Sequence, residues 1–412
     1  MNIVQVSGGE VRIPQEKGGG AQEFILAVSR CLSQMGHNVA ILDRKYSNEE
    51  PDIEDIDGVK IVRLRAVKFN LSVFAKLPKL AGFFSRIEEF LNYLAFSFSV
   101  RRYVSGKKDT DVIHSHFSVV ALGLTVLSRH LGAKCIYSCH SALRSAGKLN
   151  LWERIRLIPE NLAVRRVKRV IVDNELTKEK LVQAANIKPE KVKILPFGVD
   201  TSVFNPAVDT ADIKCKYGLD RGSVVLFVGR IAEHKGVEYL IRAANIVVNE
   251  LGHKYVQFVL VGPTTFRQGT EDTRYLAMIL KLIEGYGLQG NVRLTGVIPR
   301  DDLIKLYGVS DVFVLPSIAE MAPAVMREAM ACARPVIGTR VGNIPELVKD
   351  GLNGFVVEPA DEKELAEKII YLVDNPAQAK MMGEKGRKII EERSWEKTAE
   401  KLLLVYEEIK AT

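Results

Sequence analysis

Two carboxylates and two cations in the second half of the chain stand at spacings suited to holding a phosphate. Glu320 and Glu328 lie eight positions apart in LPSIAEMAPAVMREAMACARPVIGTRVGNIPEL, residues 315–347. Pro323 between them fits a first helical turn, where its missing N–H is not needed. That places Glu320 in the loop before the helix and Glu328 one to two turns inside it. A helix start also presents unpaired N–H groups and the positive end of the helix dipole to an anion. Arg230 and Lys235 occupy a strand-to-helix turn: Gly229-Arg230 follows VVLFV directly, and Lys235-Gly236 opens the next helix. Cations at such a turn sit where a phosphate binds. In the first half, DVIHSH (residues 111–116) and KCIYSCH (residues 134–140) read as strands ending in histidine. Ligands of open α/β sheets bind beyond the carboxyl ends of strands. His140 is therefore a candidate polar contact to a substrate hydroxyl. For His114 and His116 a structural role weighs as much as a functional one. No carboxylate or Cys lies at zinc spacing to them.

The elements that must position these residues alternate strand and helix. Residues 2–7 form a strand, Gly18-Gly19-Gly20 a glycine loop, and residues 21–35 a helix with Phe24, Ile25, Val28 and Leu32 on one face. Residues 39–42 form the next strand. The loop favours close backbone approach of a ligand, but it is not the G-x-G-x-x-G fingerprint, which weakens a dinucleotide reading. After a turn-rich segment ending near Gly222 the pattern restarts. The expected fold class is α/β with two Rossmann-like domains, residues 1–200 and 201–393. The helix at residues 394–412 is expected to pack back on the first. Two such units with a hinge imply a cleft lined by strand ends from both.

The net charge of +8 is uneven. Residues 63–108 hold ten Lys or Arg against Glu88 and Glu89, and residues 141–170 hold eight against Glu153 and Glu160. The remainder of the chain is therefore acidic. Residues 66–104 also contain seven of the 16 Phe, with Phe84, Ile87, Leu91, Leu94 and Phe98 on one helical face beside Arg86, Arg101 and Arg102. This mixture fits a helix resting on an anionic membrane surface; the alternative is a helix pair packed on the sheet with a solvated basic side. Five scattered cysteines suit a reducing cytoplasm, with Cys135 and Cys139 expected to be buried. No secretory signal and no transmembrane helix are expected. The expectation is a cytoplasmic protein, peripheral at most on the membrane's cytoplasmic face.

Taken together these residues resemble a family. GGGAQEF, GHNVAIL, DVIHSH and KVKILPFGVD in the first half, with VGRIAEHKG and SIAEMAPAVMREAMACARPVIGTRVGNIPEL in the second, resemble the retaining GT-B glycosyltransferases of family four. The Glu-x7-Glu spacing is that family's signature. The resemblance implies two Rossmann-like domains facing across a cleft, a nucleotide diphosphate-sugar donor such as a UDP- or GDP-hexose, and no metal or other cofactor. It implies that Arg230 and Lys235 hold the diphosphate, Glu320 the sugar hydroxyls and Glu328 the ribose. Backbone near Gly229, Ala324 and Val325 would add donor contacts, and the base would sit near Val297. Gly19 and Gly20 would lie against the diphosphate, and His140 would touch the transferred sugar. Phe197 stands where Asn is frequent in the family, and Asn343 where a second glycine is common.

The acceptor implied is a glycan or a lipid-linked molecule, with an anionic membrane surface met through residues 66–104 and 141–170; no nucleic acid partner is expected. Two Asp-x-Asp strings, Asp55-Ile56-Asp57 and Asp109-Thr110-Asp111, match the metal-holding motif of other glycosyltransferases. Both precede strands, so turn polarity explains them better. The rival reading is a basic polyanion- or membrane-surface-binding protein without transferase activity.

Overall fold

VVLFV at Val224–Val228 has no polar alternation, and all five side chains are buried, as a parallel strand covered on both faces requires. Such strands form the middle of both sheets. The computed structural model describes residues 1–8, 12–14, 20–71, 81–107, 109–126, 128–140, 157–219, 222–264, 271–320 and 322–411. These form two units, Met1–Phe197 with Trp395–Thr412, and Gly198–Ser394.

The first unit's sheet contains β1 (Asn2–Val6), β2 (Asn38–Arg44), β3 (Ile53–Ile56), β4 (Val59–Leu64), β5 (Val112–Ser115), β6 (Cys135–Ser138), β7 (Arg169–Val172) and β8 (Val192–Ile194). Their spatial order is β3-β4-β2-β1-β5-β6-β7-β8. Only β3 runs antiparallel, as an exposed edge carrying Glu54 and Asp55. The order of connection reverses at β1 and β5, which makes their carboxyl ends the switch point where ligands bind. Helix α1 (Gly20–Gln34) follows β1, and its face of Phe24, Ile25, Val28 and Leu32 is fully buried. Side chains of β1 alternate. Val4 and Val6 join Phe96, Val100 and Val104 of α2 (Ala81–Ser105) and Val120 and Leu124 of α3 (Ser118–Val126) in one core.

Helix α2 therefore packs through residues 96, 100 and 104. The apolar stripe expected from the sequence lies elsewhere on it: Phe84, Ile87, Leu91 and Leu94 are half-buried and Phe98 is exposed. Cys135 and Cys139 are buried. Within the second basic segment, Ile158–Arg166 is helical; residues 141–156 lie outside the described residues.

In the second unit β9 (Val224–Val228), β10 (Gln257–Val261), β11 (Val292–Gly296), β12 (Val312–Leu315), β13 (Val336–Thr339) and β14 (Gly354–Val357) form an all-parallel sheet ordered β11-β10-β9-β12-β13-β14. Its switch point lies between β9 and β12. Helix α4 (Val237–Asn245) follows β9, and α5 (Ala324–Ala331) follows β12. The last helix, α6 (Trp395–Lys410), returns to the first unit and packs on α1.

Candidate active site

The loops after β9 and β12 meet at the second unit's switch point, and they bring together four of the residues singled out by spacing. After β9 the chain makes a short 3-10 turn, Glu233–Lys235, and then Gly236 takes φ 64° before α4 begins. The backbone N–H groups of Ile318 and Ala319 donate to the His234 carbonyl at 2.9 and 3.2 Å, which fastens one loop to the other. Lys235 Nζ thereby reaches Glu320 Oε2 in an ion pair with both side chains mostly shielded from solvent. Ser317 Oγ donates to the same carboxylate oxygen at 3.3 Å, and Thr339 Oγ1 donates to the Ser317 carbonyl. Arg230, half-buried, lies on the same loop.

Pro323 is not inside the helix as the spacing suggested. It stands one residue earlier, as the N-cap of α5, with extended backbone and no capping side chain. Its φ of −67° would suit a helix, but its ψ of 115° is extended, and the helix starts at Ala324. The consequence favours an anion: Pro323 offers the first-turn N–H groups at Ala324 and Val325 no side-chain cap. Glu328 follows in the second turn and accepts a hydrogen bond from the Tyr307 hydroxyl at 2.8 Å. Burial, and then the Glu328 charge, push the Tyr307 hydroxyl well above its ordinary range, so it stays a donor. Met321 lies outside the described residues.

Further along the same strand ends, Gly229 N donates to the Val261 carbonyl and Gly262 N to the Gly296 carbonyl, each at 2.9 Å. Val297, directly after β11, is 68% exposed although apolar. From β11 to β12 is three strand spacings, roughly 14 Å at about 4.8 Å each. The row runs from an exposed apolar residue, past glycines, to cations and an uncapped helix start. It matches a ligand with a flat ring at one end and phosphates toward the other.

In the first unit Gly18 and Gly19 lie outside the described residues, and Gly20 begins α1. Upstream of them, Ser7 and Ile13 join a buried network that sequence patterning gave no reason to expect. Ser7 Oγ donates to Asp43 Oδ1 at 2.6 Å, Ile13 N to Asp43 Oδ2 at 3.0 Å, and Arg63 bonds Asp43, Glu54 and the Ile13 carbonyl. The three strand-end histidines are brought together. His116 Nδ1 faces His140 Nε2 at 2.9 Å, and His116 Nε2 faces Gln5 Oε1 at 2.8 Å. His114 is buried between Tyr406 and Ser138. Burial pushes all three down: His114 to about 3, His140 to about 4, and His116 well below the usual range. Phe197 rests on His140, with ring centroids 5.2 Å apart, and on Phe24 at 5.1 Å. Gln5 could have been flagged in the sequence, as a polar residue inside the apolar run NIVQV. Tyr406 had no such signal.

The Asp-x-Asp strings have structural partners. Asp55 Oδ1 accepts from Gly58 N and Asp57 pairs with Arg30; Asp109 and Asp111 both accept from Asn2. Among the described residues no three His, Cys, Asp or Glu side chains gather as a metal site would.

Comparison with known proteins bears on both units. Residues 18–203 match the family model "Glycosyltransferase Family 4", and residues 209–389 match "Glycosyl transferases group 1". A D-inositol 3-phosphate glycosyltransferase of Thermobifida fusca is 27% identical over 401 residues, covering 94% of this chain and 88% of the relative. One of Catenulispora acidiphila is 25% identical, covering 98% and 92%. Among solved structures, sucrose-phosphate synthase of Thermosynechococcus elongatus superposes with a TM-score of 0.78 at 23% identity over the whole of both chains. Anabaena HepE in complex with UDP-glucose gives 0.74 at 18% identity, covering 98% and 99%. At these identities the superpositions establish a shared two-domain α/β architecture.

Proposed function

The chain belongs to the group 1 glycosyltransferases of family four, and from that premise we propose that it moves a hexose, with retention, from a nucleotide diphosphate-sugar to a hydroxyl of a lipid-linked or membrane-borne glycan. The observation that carries this reading is the Lys235–Glu320 ion pair beside the uncapped start of α5. In the free protein each is the other's counter-charge. When a diphosphate takes Lys235, Glu320 is released to accept hydrogen bonds from sugar hydroxyls, so one event readies both groups.

The nucleotide then lies along the strand ends of the second unit. Its base rests near Val297, its ribose meets Glu328, and its diphosphate meets Arg230, Lys235 and the N–H groups of Ala324 and Val325. Gly229 leaves the backbone accessible at that turn. From the first unit, the family resemblance assigns Gly19 and Gly20 to the diphosphate and His140 to the sugar. In the transfer, the bond from the anomeric carbon to the diphosphate oxygen breaks and the acceptor oxygen bonds the same face of that carbon. The acceptor's proton passes to the departing diphosphate. Arg230 and Lys235 neutralise the charge that develops there, an electrostatic contribution realised in the transition state. No metal or other cofactor is assigned a step.

Support for a membrane-borne acceptor comes from two surfaces of the first unit. Phe90 and Phe98 are exposed on α2, which also carries Arg101 and Arg102. Separately, Arg165, Arg166, Lys168, Lys188 and Lys191 line a groove of about 960 Å³. It opens at the amino ends of β7 and β8, the opposite end of those strands from His140's, so an anionic surface held there leaves the reacting end free. Among the described residues no helix is long and apolar enough to cross a membrane. The contact proposed is peripheral, on the cytoplasmic face.

The deciding assay incubates the protein with UDP-, GDP- and ADP-sugars and follows nucleotide release by HPLC. Inositol phosphate belongs in the acceptor panel because relatives are named for it. Cleavage of one sugar nucleotide is expected. Cleavage of none, together with salt-sensitive binding to polyanions, would favour the polyanion-binding reading instead. Flotation with anionic liposomes at low salt tests the membrane contact, and failure to float would remove it.

A further inference from the structure

Six polar side chains of the first unit, five buried and His140 half-buried, form one unbroken line: His140, His116, Gln5, Tyr406, His114 and Ser138. The register of β1 against β5 sets Gln5 beside His114, both on the face of the sheet that receives α6. Gln5 Nε2 donates to Tyr406 Oη at 2.9 Å; Tyr406 Oη lies 2.7 Å from His114 Nδ1, and His114 Nε2 lies 2.7 Å from Ser138 Oγ. Toward the other end Gln5 Oε1 faces His116 Nε2, and His116 Nδ1 faces His140 Nε2.

Gln5 gives the line its direction, because an amide has one end that only donates and one that only accepts. Its carbonyl faces His116 Nε2, so that nitrogen bears the hydrogen. A neutral imidazole has one N–H, so His116 Nδ1 is an acceptor and His140 Nε2 must donate to it. His140 Nδ1 is then left as a bare lone pair. It is buried and has no hydrogen-bond partner among the described residues. At the far end the same logic closes. Having accepted from Gln5, Tyr406 donates to His114 Nδ1, and His114 Nε2 donates to Ser138. Turning the Gln5 amide over would reverse every bond and make His140 Nδ1 a donor.

We propose that Gln5, Tyr406 and His116 are positioning residues that hold His140 as its Nε2–H tautomer, so that His140 Nδ1 accepts a hydrogen bond from one hydroxyl of the transferred sugar. This rests on the sugar-transfer reading above. The line works only while its imidazoles are neutral, because a charged ring donates from both nitrogens. Burial, with Phe24 5.5 Å from the His116 ring and 5.6 Å from the His140 ring, keeps them so. A site built to accept from a particular hydroxyl discriminates strongly against an analogue that lacks it, since the buried lone pair then goes unpaired. The relay is therefore a specificity device reaching from α6 to the reacting end of the sheet.

The test reads tautomers directly, by long-range 1H–15N spectra of the full chain labelled in its histidine rings. Wild type is expected to show His140 with hydrogen on Nε2. Tyr406→Phe, which keeps the ring and deletes one oxygen, releases the Gln5 amide to turn and should give a mixture. Gln5→Leu should do the same. In parallel, kcat/KM for a sugar nucleotide is compared with that for its deoxy analogues. For the one lacking the relevant hydroxyl, Tyr406→Phe should shrink the wild-type preference by about tenfold. Hydrogen on His140 Nδ1 in wild type, or a tautomer unmoved by both substitutions, overturns the relay. A shifted tautomer with unchanged discrimination against every deoxy donor overturns the sugar contact. The spectra need no turnover, so they decide the relay even if no sugar nucleotide is cleaved, which would sink the sugar-transfer reading on its own.

Discussion

Among the described residues Lys235 pairs with Glu320, and it is proposed to exchange that partner for a phosphate, so its removal acts twice. Lys235→Ala deletes a charge from the leaving-group site and takes its lysine counter-charge from Glu320, which is mostly shielded from solvent. Turnover of the sugar nucleotide should fall by about a hundred- to a thousandfold, as for other lost transition-state donors. Arg230→Ala should act on kcat similarly while its circular dichroism matches wild type. Wild-type rates in a folded Arg230→Ala, Lys235→Ala double variant would remove the site. The histidines make a different residue-scale claim. Their folded-state values lie near 3 and 4 for His114 and His140, below the unfolded value of about 6.5. Below pH 6.5 the unfolded chain binds protons that the folded chain refuses. Their contribution to stability is thus full above that pH and lost as pH falls toward 4, at about 1.4 kcal/mol per pH unit for each histidine. Asp43, whose carboxyl burial raises, works in the opposite direction at lower pH. Urea unfolding of the first unit should weaken from pH 7 to pH 5, and a flat profile would contradict the buried neutral line.

At the scale of elements, the loop after β9 tolerates no side chain at Gly236. Its φ is 64°, and a Cβ there would lie 2.0 Å from the Pro316 carbonyl oxygen, on the loop that carries Glu320. Gly236→Ala should cost about 1–3 kcal/mol and weaken donor binding with it. Gly252→Ala, also at positive φ but with nothing within 4 Å, should lower the melting temperature less and leave donor binding unchanged. Equal effects would show that the two loops are not tightly fitted. The strand–helix alternation, the α1 face and the Glu320–Glu328 placement were legible because periodicity and helix-start chemistry are local. The packed face of α2 was not. Residues 96, 100 and 104 compete with an equally apolar stripe through Phe98, and only the sheet decides which is covered. Likewise a strand-end histidine shows in sequence, but the bond that sets its tautomer comes from a tyrosine 401 positions from Gln5. Phe98→Glu on the uncovered stripe should leave the fold intact and reduce liposome flotation; undiminished flotation would place the contact elsewhere.

For the whole molecule, the discontinuous first unit makes a prediction about autonomy. Residues 198–394 hold a complete six-stranded sheet and core of their own. Expressed alone they should unfold cooperatively and bind a nucleoside diphosphate, which calorimetry can check. A chain ending at Ser394 should instead lose the first unit's cooperative transition, because Trp395, Leu402, Tyr406 and Ile409 are buried in it; an unaltered transition would show α6 to be dispensable. The same connectivity fixes an order of events during translation. All eight strands of the first sheet have emerged by residue 194, yet Gln5 and His114 wait for Tyr406 until the second unit has been made. A ribosome thus completes the later unit before the earlier one, and a nascent chain arrested before the last helix holds its first sheet with Gln5 and His114 not yet bonded to Tyr406. Chaperone retention should fall on that interval, after residue 194 and before residue 406.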